Sequence, residues 1–308
     1  MVTSRSREVL VIHPGALGDV LQAVPALIAL REGDRLTFAG QMRLARLLKE
    51  TGVVHEALDF DSLGLETLFA GDEVSPETRS RLASFDRVVS WFGSRDVHFA
   101  ERLHSIVPET LLAPTVPETG PPPTVWEHLL AALAPWGVTA PPRLTPLKLP
   151  EAWRDEARQE LSRLGWEERR PLLFVQPGPE PFASIIRAVA RESGCQVLVH
   201  RGPADTEAVN QLTRLLDLPV LVLVEPPLHL LGAILQEASA YLGGDSGVSH
   251  LAAAVGAPTV ILFPPATRER WAPWSPTAFP LVMSGGSEEI EAVARAVIER
   301  LSGALRRF

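Results

Sequence analysis

Residues 241–263, with the sequence YLGGDSGVSHLAAAVGAPTVILF, constrain the fold more than any other part of this chain. An apolar run leads into a polar turn rich in glycine, which allows tight bends and close approach to a ligand. A short helical pattern follows, and Gly256 and Pro258 are the usual signals for its end. A second apolar run, 259–263, then predicts a buried strand. The segment predicts a strand–turn–helix–strand unit of an α/β protein.

The polar turn of this unit has the chemistry of an anion site. Ser246 and Ser249 are placed to cap or line the helix start, where unpaired N–H groups and the positive end of the helix dipole attract an anion. Asp245 and His250 supply polar groups beside it. Asp245 has a second interpretation, as a residue that bonds the backbone of its own turn, and His250 has one as a structural histidine on a polar rim. The pattern favours a phosphate or diphosphate ligand.

A second glycine turn lies near the N-terminus. Residues 9–19 read VLVIHPGALGD, an apolar strand that runs through Gly15 and Gly18 to Asp19 and then into an apolar helix. The spacing is not Gly-x-Gly-x-x-Gly, so the dinucleotide-binding fingerprint is absent. From the residues alone, Asp19 is most simply the N-cap of that helix. Pro25 is expected to kink or restart the helix.

Length and composition limit the class of protein. A chain of 308 residues with 46% hydrophobic and 21% charged residues is an ordinary folded protein of about two domains. The net charge of −8 argues against non-specific nucleic-acid binding, which needs a basic surface. No run reaches the roughly 18 apolar residues of a membrane span, and no signal-peptide pattern is present. We therefore expect a cytoplasmic protein, and the single cysteine, Cys195, agrees with a reducing compartment.

Short apolar runs alternate with longer amphipathic ones, which predicts parallel sheets covered by helices. The predicted strands are residues 9–13, 36–39, 57–60, 85–91, 172–176, 196–200, 220–224, 240–243 and 259–263. Residues 108–150 hold 11 of the 28 prolines, a density that helices and central strands do not absorb. We therefore expect one domain over residues 1–145 and a second over 146–287. A final helix, at about 288–308, is long enough to pack back onto the first domain.

Three further segments carry candidate chemistry. Glu225 follows a buried apolar run, where a carboxylate suits hydrogen bonds to ribose hydroxyls, although a solvated loop glutamate is an equal alternative. Gly178 follows another apolar run, and Glu180 comes two residues later. Asp59 and Asp61 form an Asp-x-Asp pair, a pattern that holds a metal in another transferase fold, but no Cys/His cluster has zinc spacing. We predict no metal site.

The block from Asp245 to Val260, followed by Phe263-Pro-Pro-Ala-Thr and Glu269-Arg-Trp-Ala-Pro-Trp, resembles the signature of glycosyltransferase family nine. That family contains the ADP-heptose:lipopolysaccharide heptosyltransferases. The resemblance implies an α/β fold of GT-B architecture, with two Rossmann-like domains whose parallel sheets face each other across a cleft. It also implies an inverting, metal-independent enzyme without a cofactor. Such an enzyme transfers a heptose or related sugar from a nucleotide-diphosphate donor, an ADP-sugar before others, to a lipopolysaccharide-type or other envelope glycan.

The resemblance also implies roles for single residues. Asp19 matches the position of the proposed general base, which removes the proton from the acceptor hydroxyl, and Gly15 and Gly18 form the loop on the acceptor side. The donor-binding positions that it implies are Gly178, Glu225, Asp245, Ser246, Gly247, Ser249 and His250. The expected partners are a nucleotide sugar and a glycolipid or glycan acceptor, with no nucleic acid. Peripheral contact with the cytoplasmic membrane face is compatible with such an acceptor, and the oligomeric state is unknown.

The chain departs from this family at one place. Relatives carry a lysine or arginine after the Pro-Gly of the Gly178 loop, where it meets the diphosphate, whereas this chain has Glu180. Three interpretations stay open. In the first, the charge is neutralised by the helix start together with one or more other cations, namely Arg187, Arg201, Arg268 or Arg270. In the second, the donor is a different one. In the third, the chain is a catalytically decayed member that binds a sugar nucleotide or a partner without transfer.

Overall fold

The computed structural model describes residues 6–69, 73–117, 124–138, 140–178, 181–283 and 286–305. Contacts within the chain divide it into two units, Met1–Leu144 and Thr145–Phe308. Each unit contains one parallel sheet, of five strands in the first and six in the second. Among the described residues, no helix combines the length and the apolar character needed to cross a membrane.

The sheet of the first unit has the strand order β3-β2-β1-β4-β5. Its strands are β1 Glu8–Ile12, β2 Arg35–Gly40, β3 Glu56–Asp59, β4 Arg87–Ser90 and β5 Thr110–Leu112. Its helices are α1 Leu17–Gln22, α2 Val24–Arg31, α3 Met42–Glu50, α4 Pro76–Leu82, α5 Val97–Ile106 and α6 Val125–Ala131, with 3-10 turns at Phe60–Leu63, Leu65–Leu68 and Ala134–Trp136. The chain winds from β1 towards β3 on one side and from β4 to β5 on the other. The point where the winding reverses therefore lies between β1 and β4.

The sequence of the first unit explains its core. Residues 9–12 of β1 are all fully buried, as expected for a central strand that is covered on both faces. The following helix breaks at Ala23, and Pro25 lies in the first turn of α2. That position suits proline because its missing N–H would have no helical partner there. The break agrees with the sequence prediction.

The sheet of the second unit has the order β11-β10-β9-β6-β7-β8. Its strands are β6 Leu172–Val175, β7 Gln196–Arg201, β8 Val220–Val224, β9 Ala240–Gly244, β10 Thr259–Phe263 and β11 Ala278–Val282. Its helices are α7 Glu151–Leu164, α8 Pro181–Ser193, α9 Thr206–Leu215, α10 Leu228–Glu237, α11 Gly247–Ala254, α12 Arg268–Trp271 and α13 Ser287–Leu305. The winding reverses between β6 and β9.

The final helix, α13, packs within the second unit, whereas the sequence analysis placed it on the first domain. It contacts α8, β9 and β10. Val293, Val297 and Leu301 are almost completely buried there and belong to the core that α8 and the sheet share. Because these residues are spaced by four, they form one apolar stripe along α13, and this stripe packs against α8 and the sheet.

Candidate functional site

The turn after β9 lies at the carboxyl edge of the second sheet, beside the reversal of winding between β6 and β9. Open α/β sheets bind ligands in the crevice outside this point. Ser246 is the N-cap of α11, and its Oγ accepts a hydrogen bond from the N–H of Ser249 at 3.3 Å. Gly247 is the first helical residue. The predicted anion turn therefore forms, with a capped helix start at the position where a ligand is expected.

A network of hydroxyl groups holds this turn. The single proton of the Ser249 hydroxyl goes to the carbonyl of Gly244. The hydroxyls of Tyr241, at 2.7 Å, and Ser246, at 3.1 Å, therefore donate to Ser249 Oγ. Tyr241 and Ser249 are completely buried, and burial raises the pKa of Tyr241, which stays neutral. Ser249 was predicted to contact the donor, but its hydroxyl has no capacity left and no exposure. It supports the turn instead.

Asp245 and His250 come together at the start of α11. The Nε2 atom of His250 lies 3.7 Å from Asp245 Oδ1, and the N–H of His250 donates to the carbonyl of Ser246 at 3.2 Å. His250 is 5% exposed, whereas Asp245 is exposed. The fold thus places a carboxylate and an imidazole beside the capped helix start.

The turn after β6 lies on the other side of the same point. A Cβ atom at Gly178 would lie 2.5 Å from the ring of Phe182, so only glycine allows this ring to pack against the turn. Glu180 lies outside the described residues. Gly178 therefore has a packing role in the turn after β6, and its contact with the donor stays a prediction.

A buried polar network that the sequence analysis missed connects the turns after β6 and β7. His200 Nδ1 donates to Gln176 Oε1 at 2.7 Å, and Gln176 Nε2 donates to Asp205 Oδ2 at 3.0 Å. The N–H of Gly202 also donates to Asp205 Oδ2, at 3.0 Å. Burial lowers the pKa of His200, so its ring is neutral. The sequence signal for this network was one polar residue directly after β6, Gln176, and another near the end of β7, His200.

Glu225 follows β8, an edge strand, which lies three strands from β9. At about 4.8 Å per strand this places it about 14 Å along the sheet edge from the α11 turn. Its side chain is exposed, and its φ of 41° is the one positive φ of a non-glycine residue in the described part of the chain. Its N–H donates to the carbonyl of Arg201 at 2.9 Å. Such backbone strain concentrates at functional sites, which keeps Glu225 a candidate for the far end of an extended ligand.

The four candidate arginines occupy different places. Arg201 ends β7, and Arg268 and Arg270 lie in α12 after β10, so all three follow strands at the carboxyl edge. Arg187 lies in the middle of α8, and its Nη1 donates to the carbonyl of Leu215 at 3.1 Å. It lines a cavity at the opposite, amino edge of the sheet. Arg187 is therefore no candidate for the donor phosphates, because α8 leads the chain away from them.

In the first unit, Asp19 lies beside the reversal of winding between β1 and β4. It is the third helical residue of α1, not its N-cap, which is Ala16. The Oδ2 atom of Asp19 accepts the N–H of Ala16 at 3.1 Å, and the side chain is half-buried. Gly18 is the second helical residue. A Cβ atom at Gly15 would lie 2.5 Å from the ring of His13 and 2.9 Å from Asp19 Cβ, so this glycine allows both side chains to converge.

His13 is a buried group beside the Asp19 turn. It is completely buried directly after β1, and its Nδ1 accepts the N–H of Gly15 at 3.1 Å. Burial lowers the pKa of His13 to about 4, so the ring is neutral and carries its proton on Nε2. The ring of Trp91, directly after β4, lies edge-on at 5.7 Å. Within the described part of the chain, neither His13 Nε2 nor Trp91 Nε1 has a hydrogen-bond partner.

The Asp-x-Asp pair has a structural role. The side chain of Asp59 accepts the N–H of Asp61 at 3.2 Å and caps the 3-10 turn that follows β3. In the described ranges, no group of three or more His, Cys, Asp or Glu side chains is arranged to hold a metal ion.

Residues 121–293, more than half of the chain, match the sequence model of Glycosyltransferase family 9 (heptosyltransferase). The chain belongs to this family. The match includes the turns at Gly178, Glu225 and Ser246 but not the Asp19 turn. Lipopolysaccharide heptosyltransferase 3 of Escherichia coli is 28% identical to this chain over 164 residues, which cover 49% of this chain and 47% of that protein. The match thus spans about half the length of this curated relative.

Solved structures resemble this chain over almost its whole length. A glycosyl transferase family 9 protein from Veillonella parvula DSM 2008 superposes with a TM-score of 0.74 at 17% identity, covering 98% of both chains. The E. coli heptosyltransferase WaaC, solved with ADP, has a TM-score of 0.64 at 16% identity, covering 95% of this chain and 99% of that one. At these identities the likeness concerns the fold. The predicted fold class, GT-B with two Rossmann-like domains, is confirmed.

Proposed function

We propose that this family 9 member is an inverting glycosyltransferase that moves a heptose or related sugar from a nucleotide-diphosphate donor to a lipopolysaccharide-type or other envelope glycan. One observation carries the proposal. The capped start of α11, inside the residues that match the family, lies at the reversal of winding in the second sheet. Helix starts at such points favour phosphate groups. The ADP in the similar WaaC structure makes an ADP-sugar the first donor to test.

The donor is assigned to the carboxyl edge of the second sheet. In this proposal its diphosphate meets the N–H groups that begin at Gly247, His250 contacts the phosphates or the sugar, and Glu225 accepts hydrogen bonds from the ribose hydroxyls. Ser246 contributes by capping the helix start, and Ser249 by holding the turn. Arg201, Arg268 and Arg270 are the cations that supplement the helix start.

Asp19 is assigned the role of general base. The acceptor hydroxyl oxygen forms a bond to the anomeric carbon while the bond from that carbon to the diphosphate oxygen breaks. The hydroxyl proton passes to the Asp19 carboxylate, and the nucleoside diphosphate leaves. A single displacement inverts the anomeric configuration. We propose that this step needs no metal ion and no cofactor, as the family resemblance implies, and that it takes place on the cytoplasmic side of the membrane.

The test compares two aspartate variants with wild type. Asp19→Asn is expected to lower kcat by about 10²- to 10⁴-fold with ADP-heptose and a deacylated lipopolysaccharide core acceptor, because a general base contributes this much. Asp59→Asn is the matched control, since that carboxylate also accepts a backbone N–H at the carboxyl edge of the same sheet. Activity is expected to survive EDTA. ADP binding without transfer by wild type to any envelope acceptor would instead support a decayed, binding-only protein.

A further inference from the structure

The cavity that Arg187 lines lies at the amino edge of the second sheet. It has a volume of about 710 Å³, and its lining comes from α8 and from the segments that directly precede or begin β6, β7 and β8. These strands of four to six residues separate it from the carboxyl edge by about 13–20 Å at 3.3 Å per residue. The cavity therefore has no part in the donor site proposed above.

Three arginines line this cavity, Arg170, Arg187 and Arg191. The Nε and Nη2 atoms of Arg170 donate to the carbonyl of Gly194 at 3.2 and 3.0 Å. The Nη1 atom of Arg187 donates to the carbonyl of Leu215 at 3.1 Å. Carbonyl groups hold a guanidinium in place without cancelling its charge. Arg170 Nη2 also donates to the carbonyl of Cys195 at 3.4 Å, and Arg187 Nη2 donates to Ser184 Oγ at 3.3 Å. Protein groups therefore hold two of the three cations in position.

The charge of the cavity is positive. Asp217 is the one carboxylate in its lining, and Glu167 lies 3.7 Å from Arg170 Nη1 outside it. Among the described residues, Arg191 has neither a hydrogen bond nor an ion pair. Three cations against Asp217 and Glu167 leave one unbalanced positive charge, and Arg191 supplies a guanidinium that no protein group uses.

We propose that this cavity binds a small phosphate-bearing anion. Guanidinium groups bind phosphate oxygens through paired N–H donors, and here three of them share one concave space. Ala190, Val197 and Leu221 add apolar wall to the lining, which suits a small molecule with a phosphate group more than a flat membrane surface. The proposal does not rest on the glycosyltransferase function.

The test measures binding of pyrophosphate by calorimetry with four forms of the full chain. Arg191→Gln removes an exposed, unpartnered cation and is expected to weaken binding by about tenfold or more, the effect of one charge-assisted hydrogen bond. Asp217→Asn removes the opposing charge and is expected to strengthen binding a few-fold. Arg43→Gln, an exposed arginine of the first unit, is the control and is expected to match wild type.

Opposite effects of Arg191→Gln and Asp217→Asn are a result that loss of fold cannot produce, and thermal unfolding of each variant checks the fold directly. Pyrophosphate binding at the donor turn leaves both variants equal to wild type, because that turn lies at the other edge of the sheet. Equal affinities in all four forms would therefore overturn the proposal. So would binding of phosphatidylglycerol vesicles that depends on Arg191, combined with no binding of pyrophosphate, since this result assigns the cavity to a membrane surface.

Discussion

The turns beside the reversal of winding in the two sheets differ in how they satisfy their polar groups. In the second domain, Ser249 uses its donor and both acceptor positions within the turn, in bonds to Gly244, Tyr241 and Ser246. In the first domain, His13 Nε2 and Trp91 Nε1 are buried with no partner among the described residues. A buried donor without an acceptor costs about 1–3 kcal/mol, whereas a satisfied network rigidifies its surroundings. Ser249 thus makes all of its hydrogen bonds within its own turn, whereas the turn of the first domain leaves two buried donors unpaired among the described residues.

This difference fits the two tasks of the proposed enzyme. A turn that holds its own shape offers a preformed helix start to a donor diphosphate, which is the same for every catalytic cycle. The first turn leaves two buried donors unpaired in the described part of the chain, and it keeps Asp19 close to a neutral imidazole across Gly15. The first turn should therefore respond more strongly to pH and to added volume than the second.

Acidification gives the largest expected effect. Burial lowers the pKa of His13 from 6.5 to about 4. Between these values the unfolded chain binds a proton that the folded chain does not, so the free energy of unfolding falls as the pH falls through this window. At about 1.4 kcal/mol per unit, His13 accounts for about 3 kcal/mol of the loss. Urea unfolding from pH 7 to pH 4 measures it.

His13→Gln is expected to remove this part of the pH dependence, while His98→Gln, which changes an exposed histidine of the same domain, should keep it. A pH dependence that is the same in all three proteins would show that folding does not lower the pKa of His13. The contrast between the two turns would then lose its basis.

Added volume at Gly15 gives the next effect. In Gly15→Ala the new methyl group meets the His13 ring and Asp19 Cβ at 2.5 and 2.9 Å, so one of them must move. We expect a loss of about 1–3 kcal/mol in the free energy of unfolding, the usual cost of overpacking, and slower transfer because Asp19 is displaced. Gly33→Ala is the control, since a Cβ there has no atom within 4 Å. Equal free energies of unfolding for Gly15→Ala and Gly33→Ala would mean that the turn at Gly15 accommodates the methyl group without loss of stability.

Most of the fold was predictable from the sequence, and the exceptions have a common cause. The nine predicted strands are present: seven are central strands, which read as apolar runs, and the other two, β3 and β8, are edge strands. The two missed strands, β5 and β11, are both edge strands. β5 has three residues, and β11 contains Pro280, which an edge strand accommodates because one side of it makes no ladder hydrogen bonds. β5 and β11 are strands because they pair with β4 and β10, and not because their residues favour strand structure.

The site was predictable where its signals are local. Glycines, the Ser246 cap and the Asp245–His250 pair lie within one turn of chain and were recognised there. The bond between His200 and Gln176 joins positions 24 residues apart, so it follows only from the neighbouring positions of β6 and β7 in the sheet. Ser249 was assigned to the ligand because its sequence position does not reveal that Tyr241 reaches it from the strand before.

The second turn should show smaller effects, and the first of these concerns its cap. Ser246→Ala is expected to lower the free energy of unfolding by about 1 kcal/mol, the usual cost of losing an N-cap, and to weaken ADP binding. Ser75→Ala removes the corresponding N-cap of α4, because Ser75 Oγ accepts the N–H of Thr78 at 3.1 Å. It should cost a similar free energy and leave ADP binding unchanged. If both variants bind ADP as wild type does, the α11 start is not the nucleotide site.

The smallest expected effect is that of Tyr241→Phe. The change removes one of the two hydroxyls that donate to Ser249 Oγ, while the bonds to Gly244 and Ser246 remain. Because the rest of the network stays satisfied, we expect a loss of about 0.5–1 kcal/mol and no added pH dependence between pH 7 and pH 4. Urea unfolding at both pH values measures these quantities. A loss larger than that of Gly15→Ala would reverse the order of the two turns, because the second would then depend on a single bond.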